Sequence, residues 1–461
     1  MTSTVTRKTG HAPARTVLLL GNYRPAIAIA RALAKEGIRV IVGGEGEPLG
    51  AHCSRYVDEI WDHPKLADDE MCFLDALMDL LSARPDIEAV LPVTEEFALF
   101  LAAHEEQVKS RVRLASPRRA TIEVFNDKLA ALTLAQEQGV PTLPFAHVNS
   151  YGSLLDEART IGFPLTVRGI GATARIAGRK ALICEDMAAL KNALPTWPED
   201  HSSLLLQRFA HGTRRNIYFA SQQGRLIGVC QTQILRTNAP DGTGLAVDGA
   251  TEQPDGDLVA DTEKLVAATN YTGIGLAQFI VDPARHERCF LELNPRVSGS
   301  HAVAERAGLP LSLLAVELSQ GERDDTRPAH SEASYAARTG LRYAWTDGDL
   351  LAAKYAVLDG TISPRKAALW VWKAVRSAFA ADIQMVWSWR DPGPTLISLL
   401  LLLPRCRSLR RALRAWFERR RTLSGSTYGV PASPSDPVSD SKSNSRALSQ
   451  SSALTVERSV S

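Results

Sequence analysis

Glu292 and Asn294 stand two residues apart in the run CFLELNPRVSGSH, Cys289 to His301. On a strand, residues i and i+2 share a face. Phe290, Glu292 and Asn294 are therefore expected to look one way, and Leu291 and Leu293 the other. A carboxylate beside an amide at a strand end is poor core material and good material for holding a hard cation. The run GLAQFIVD, Gly275 to Asp282, alternates like a second strand, with Leu276, Gln278, Ile280 and Asp282 on one face. If the five residues Pro283 to Glu287 form the connecting loop, residue 282 pairs with 288, 280 with 290 and 278 with 292. Gln278, Glu292 and Asn294 then converge, since directly opposed Cβ atoms lie about 5 Å apart. A one-residue slip would scatter them.

One carboxylate and two amides do not complete a cation's shell. Mg2+ takes one or two protein carboxylates and leaves the rest to phosphates and water, so the trio asks for a phosphate-bearing partner. Arg296 follows directly, placed to neutralise a transferring phosphoryl group. Ser298, Gly299 and Ser300 can bring backbone N–H groups close. The competing reading is a solvated hairpin whose polar face meets water. The register of Gln278 and the attached Asn-Pro-Arg run weigh against it.

The elements that must carry this patch can be read outward from it. TVLLL, 16–20, reads as a buried strand, followed by a helix from about Pro25 to Lys35 and a second strand, IRVIVGG. This is a βαβ opening, so a small parallel sheet with helices on both faces is expected. The turn GNYRPA lacks the GxGxxG pattern, which argues against a dinucleotide site. AVLPV, 89–93, is a further strand, ending at Thr94-Glu95-Glu96 where open sheets keep a crevice. A second domain is expected from about Arg119. It opens with one helix through ATIEVFNDKLAALTLAQEQG, stopped by Gly139 and two prolines. Three β-rich runs between about 163 and 235 follow, read as antiparallel strands. A helix from about Asp257 to Thr269 leads into the hairpin.

The 461 residues suggest about three domains. A hydrophobic content of 45% and a charged content of 23% are ordinary for a globular protein. A net charge of +2 gives no support to bulk nucleic-acid binding. Six scattered cysteines with no CxxC pair argue against a zinc ribbon, a cluster site or a disulfide framework, and for a reducing, cytoplasmic setting. No secretory signal is read in residues 1–15, taken as a flexible start.

After about residue 326 the texture changes. Six of the eight tryptophans lie beyond residue 340, and 404–421 holds eight arginines against one acid. Residues 326–423 are expected to form a mostly helical, Trp- and Arg-rich segment. Residues 424–461, with 13 serines in 38 positions, are expected to be a disordered tail. The longest apolar run, Leu396 to Leu403, is far short of the ~20 residues that span a bilayer. The segment 395–421 has the composition of an interfacial helix, so peripheral membrane contact there is an expectation. Its alternative is a packed helical subdomain with a solvated basic face.

FLELNPRVSGSHAVAERAGLPL resembles the last ATP-binding motif of the ATP-grasp superfamily. FNDKLAALTLAQEQGVPTLPF, FPLTVRGIGATARIAG, LLLQRFAHGTRRNIYFASQQGRLIG and YTGIGLAQFIVD follow that family's order, over roughly residues 15–325. The nearest likeness is to predicted ATP-dependent carboligases and to carbamoyl-phosphate synthetase halves. The resemblance implies a pre-ATP-grasp α/β domain over 16–118 and a two-subdomain α+β ATP-grasp domain over 119–325. It implies ATP with Mg2+ or Mn2+ as cofactors. Lys128 and Arg168 would contact the nucleotide phosphates, with the loop from Gly169 through Gly171 to Gly178 folded over them. Gln207, with Phe209 and Gly212 after it, falls in the nucleotide-binding segment. The family often has Glu at the place of Gln207 and another Glu after Gly212, where this chain reads TRRNI. Gln278, Glu292 and Asn294 would hold the metal, and Arg296 would steady the transferred phosphoryl group.

The implied activity is a ligase that turns a carboxylate into an acylphosphate, which an amine, or less often a thiol, then attacks. Small-molecule carboxylates and amines are the expected partners. The loop 235–249 is expected to face the acceptor, with Arg236 as a carboxylate clamp. The rival is an ATP-binding module without turnover, a sensor or scaffold, which the two missing glutamates favour and Glu292, Asn294 and Arg296 oppose. His211 and His301 are secondary catalytic candidates.

Overall fold

In the computed structural model, residues 15–45, 50–171, 174–176, 179, 181–209, 211–239, 244–285, 287–321 and 337–400 are described. Val17 to Leu20 are all buried, so both faces of the strand Thr16–Leu20 are covered. That is the environment of a parallel sheet between helices. Its five strands run in the order Glu59–Asp62, Arg39–Gly44, Thr16–Leu20, Ile87–Pro92, Arg113–Leu114, and every pairing is parallel. One face packs Leu18, Leu20 and Val90 on Phe73, Leu77, Phe97 and Phe100. The other packs Val17, Leu19 and Val42 on Ile27 and Ile29 in a core that continues into Val303, Leu314, Tyr218 and Leu276. The first domain thus shares its core with the next one.

Two antiparallel sheets follow. The smaller has the order Phe145–Val148, Leu204–Arg208, Leu165–Gly169, Leu182–Cys184, backed by the helices Tyr151–Ile161 and Met187–Ala193. The larger runs Glu287–Asn294, Gly273–Asp282, Thr213–Gln222, Arg225–Thr237, Ala246–Glu252, Arg342–Ala344, Ile383–Gln384, with only the last pair parallel.

Three expectations change. The single helix expected after Arg119 is two, Arg119–Asn126 and Lys128–Glu137. Asp127 leaves the helical region at φ −90°, ψ 111° and its carboxylate accepts from Ala130 N at 2.9 Å, ending one helix and capping the next. The C-terminal segment is mostly helical, in Thr346–Leu358, Pro364–Ala380 and Gly393–Leu400, but it also gives the large sheet its last two strands. It is tied back to the first domain as well. Asp391, 1% exposed, accepts from Arg31 Nε at 2.9 Å, Ser54 Oγ at 2.7 Å and Arg55 N at 2.9 Å. The hairpin loop is the third change, described below. The expected flexible start up to Ala14, the serine-rich tail and residues 401–421 of the expected interfacial segment lie outside the described residues.

Candidate active site

The strands Gly273–Asp282 and Glu287–Asn294 pair as Leu276–Asn294, Ala277–Leu293 and Gln278–Glu292. Gln278 and Glu292 are therefore opposed, as their spacing predicts. Beyond them the register shifts by one, to Phe279–Phe290, Ile280–Cys289, Val281–Arg288 and Asp282–Glu287. Leu291 is the extra residue of a bulge. The connection is 283–286 rather than five residues, and the expected pairs 280–290 and 282–288 do not form. The bulge also turns Phe290 to the face opposite Glu292. Its ring lies 5.9 Å from Phe279 in the core, and Phe290 is 1% exposed.

Asn216 completes the patch, and sequence reasoning gave it no role. On the strand Thr213–Gln222 it pairs with Gln278, so Asn216, Gln278 and Glu292 form one row across three strands. Gln278 Nε2 donates to Asn216 Oδ1 at 3.0 Å, and Asn294 Nδ2 donates to Glu292 Oε1 at 3.1 Å. Both amides of the trio spend an N–H inside the cluster, which leaves their carbonyl oxygens as acceptors for a ligand. The signal for Asn216 was an amide set two residues before a core tyrosine in the run RRNIYFA. Tyr218 Oη in turn meets Ser300 Oγ at 2.5 Å, fixing the loop after Arg296.

The small sheet supplies the opposite side. Arg168 is the penultimate residue of the strand Leu165–Gly169, and its Nη2 donates to Gln207 Oε1 at 2.5 Å. Arg168 Nε and Gln207 Nε2 are buried without a hydrogen-bond partner. Burial pushes the Arg168 guanidinium below the usual arginine range, and the charge of Glu292 pulls it back up. Arg214 is in the same position: burial lowers it and Glu292 opposes. Its Nη2 donates to Gly244 O at 2.8 Å. Two partly buried arginines thus lie within the field of one carboxylate, Glu292.

Lys128, at the start of its helix, donates from Nζ to Gly171 O at 2.7 Å, so the lysine and the glycine loop touch. A Cβ on Gly169 would come within 2.4 Å of Ala174 Cβ, so only glycine lets this loop return on itself. Gly178 lies outside the described residues. Phe209 N donates to Pro164 O at 2.9 Å and its ring meets the exposed His211 edge-on at 5.4 Å. Gly212 has φ 134° and lies against the Val281 carbonyl, 2.5 Å from where a Cβ would sit.

Three residues are paired differently from expectation. Arg296 Nη2 donates to Glu95 Oε2 at 2.8 Å, a carboxylate from the first domain's strand-end crevice. Arg236 is correctly placed on no acceptor loop: it belongs to the strand Arg225–Thr237, and both its terminal nitrogens donate to the Asp349 carboxylate. A guanidinium held bidentate by a buried acid of its own chain has its fork already filled, which removes the clamp role expected of it. His301 is buried, with Nε2 2.9 Å from Ser312 Oγ and 3.2 Å from Glu305 Oε1, inside the helix pair behind the site.

Among the described residues no group of three or more His, Cys, Asp or Glu side chains could hold a metal alone. The donor set of Gln278, Glu292 and Asn294 fits a hard cation that brings further oxygens with it. The unpartnered N–H groups of Arg168 and Gln207 fit a phosphorylated ligand beside it.

Residues 127–326 match the family model for the carbamoyl-phosphate synthase L chain, ATP binding domain. The carbamoyl phosphate synthase large chain of Lachnoclostridium phytofermentans is 25% identical over 320 residues, 65% of this chain and 28% of the synthase. The chain thus spans less than a third of the length of that relative. The biotin carboxylase domain of Hydrogenobacter thermophilus 2-oxoglutarate carboxylase, solved with MgADP and bicarbonate, superposes with a TM-score of 0.55 at 19% identity, covering 72% of this chain and 74% of that one. L-amino acid ligase from Bacillus licheniformis gives 0.54 at 14% identity, covering 72% and 79%. The resemblance carried by the Glu-Leu-Asn-Pro-Arg run stands. Residues 127–326 are thus similar to the ATP-binding domain of the carbamoyl-phosphate synthase L chain, and the chain shares the fold of these solved structures.

Proposed function

We propose that the protein is an Mg-ATP-dependent ligase that activates a small carboxylate as an acylphosphate and joins it to an amine. The observation that carries this reading is the row Asn216–Gln278–Glu292, with Asn294 beside it, the charge of Glu292 being felt by Arg168. Gln278, Glu292 and Asn294 would hold the cation, which would supply charge neutralisation to a bound phosphate group. Asn216 orients Gln278 from behind. Arg168 and Lys128 bind phosphate oxygens, and Gln207 offers its unpartnered Nε2–H to the nucleotide. Arg296 leaves Glu95 to meet the phosphoryl group in flight. The remaining chemistry is positioning of the carboxylate against the γ-phosphate, and then of the amine against the acyl carbon.

A phosphate-release screen over small carboxylates and amino acids, each with and without amines, tests the reading. Mg-dependent release stimulated by one acid, with an amide product when an amine is added, is the expected result. ATP binding with no ADP formed over the whole panel would favour the rival, a binding module without turnover. The Glu95–Arg296 pair is the feature that speaks for that rival, because it keeps the arginine engaged.

A further inference from the structure

The helix Pro364–Ala380 carries an unusual surface. Only Ala374 and Ser377 along its 17 residues are buried. Its inner side is pinned by polar bonds: Trp370 Nε1 donates to Asp349 Oδ1 at 2.6 Å, and Ser377 Oγ donates to Asp248 Oδ2 at 2.6 Å. Those anchors turn Trp372, Val375 and Phe379 outward in one stripe, because residues three and four apart are neighbours on a helix. Trp372 is 56% exposed and Phe379 89% exposed. Leu369 and Val371 are exposed on the same helix. Large apolar side chains this bare, gathered on one element, mark an interaction site.

The charges on this helix identify the occupant. Arg365, Lys366, Lys373 and Arg376 are exposed around the stripe, and residues 364–381 contain no Asp or Glu. Stepping by 100° per residue from Ala374, the apolar group Val371, Val375, Phe379 and Trp372 fills one outward sector. Arg365, Arg376, Lys373 and Lys366, with the exposed Leu369 among them, fill the sector on one side of it. An apolar strip edged by cations suits a surface that is greasy below and negative on top. A neutral protein groove would not call for four unpaired-by-acid cations along its rim. No helix among the described residues is long and apolar enough to cross a bilayer, so this one would lie in the interface.

We propose that the helix Pro364–Ala380 docks the protein on an anionic lipid surface, with Trp372, Val375 and Phe379 inserted among the acyl chains and the four cations on the headgroups. This surface is not the segment 395–421 suggested by composition, and it stands apart from the ligase reading. The helix is anchored to Asp248 on the strand Ala246–Glu252, whereas Gln278, Glu292 and Asn294 lie at the opposite edge of the same sheet, so lipid binding and catalysis are separable.

The test is co-sedimentation of the full chain with vesicles of phosphatidylcholine alone or of phosphatidylcholine and phosphatidylserine. The wild type binds the anionic vesicles and leaves the neutral ones largely unbound. Trp372→Ser with Phe379→Ser lowers partitioning at least about tenfold, since both rings give up acyl contact. Lys373→Glu with Arg376→Glu lowers it by a similar factor and removes the dependence on phosphatidylserine. These positions are exposed, and an unchanged unfolding midpoint verifies that the variants fold. Failure of the wild type to bind anionic vesicles overturns the proposal. So does wild-type binding by the Ser variant, which would move the contact to residues beyond Leu400. A wild-type dimer that the Ser variant dissociates would assign the stripe to a second copy of the chain and overturn it equally.

Discussion

Arg296 donates to Glu95 across 201 residues of sequence, joining the crevice of the parallel sheet to the strand end that carries Glu292 and Asn294. The pair closes the site from the side of the first domain. It also holds the one arginine that the ligase reading sends to the phosphoryl group. Arg296→Ala is expected to lower kcat for substrate-stimulated ADP release about 100-fold or more, the usual cost of removing a charge-stabilising donor. Arg296→Lys keeps the charge without the fork and should fall between. An unchanged kcat in Arg296→Ala would make the arginine a domain staple and nothing more.

Asn216 reaches the proposed metal site through its bond with Gln278. Asn216→Ala leaves the Gln278 amide without its partner and free to turn. Partners of this kind are worth about 10–100-fold in metal affinity. The Mg2+ concentration giving half-maximal activity should rise by that factor, while activity at saturating Mg2+ is largely kept. A loss that saturating Mg2+ does not recover would assign Asn216 a different role.

Asp349 is almost wholly buried and is held by Arg236 and Trp370. Removing Arg236 strands that carboxylate. Arg236→Met should cost about 3–5 kcal/mol in urea unfolding, the range for breaking one side of a buried pair. The double change Arg236→Met with Asp349→Leu should cost less than the single one. Full stability of Arg236→Met with abolished activity would instead restore the clamp role.

Gly212 sits at φ 134° with the Val281 carbonyl where a side chain would go. Gly212→Ala pays for both the backbone conformation and the clash, so a loss of about 2 kcal/mol or more is expected in thermal or urea unfolding. A neutral effect would mean that the two strands can part there without consequence.

These sites differ in how far the sequence reveals them. Gln278 and Glu292 were legible because a hairpin makes their pairing local, and alternation along each strand marks the face. The bulge at Leu291 was not, since nothing in a run of apolar residues shows which one the partner strand skips. It changes the loop length and the side of Phe290 while leaving the functional pair in register. Asn216 and Glu95 were missed as partners because they arrive from a strand and a helix start 62 and 201 residues away. The partner of Arg236 was hidden for the same reason: its acid, Asp349, lies 113 residues on, in a segment read only by composition. The two strands within that segment were hidden by their shortness, three residues and two.

The central claim is that Glu292, with Gln278 and Asn294, grips a divalent cation carried by a nucleotide. Titrating a non-hydrolysable ATP analogue into the wild type and into Glu292→Ala, each with and without Mg2+, measures it directly. The wild type should bind the analogue at least about tenfold more tightly with Mg2+, and Glu292→Ala should lose that gain while still binding the metal-free nucleotide. An equal Mg2+ enhancement in both proteins would contradict the metal site and the ligase built on it.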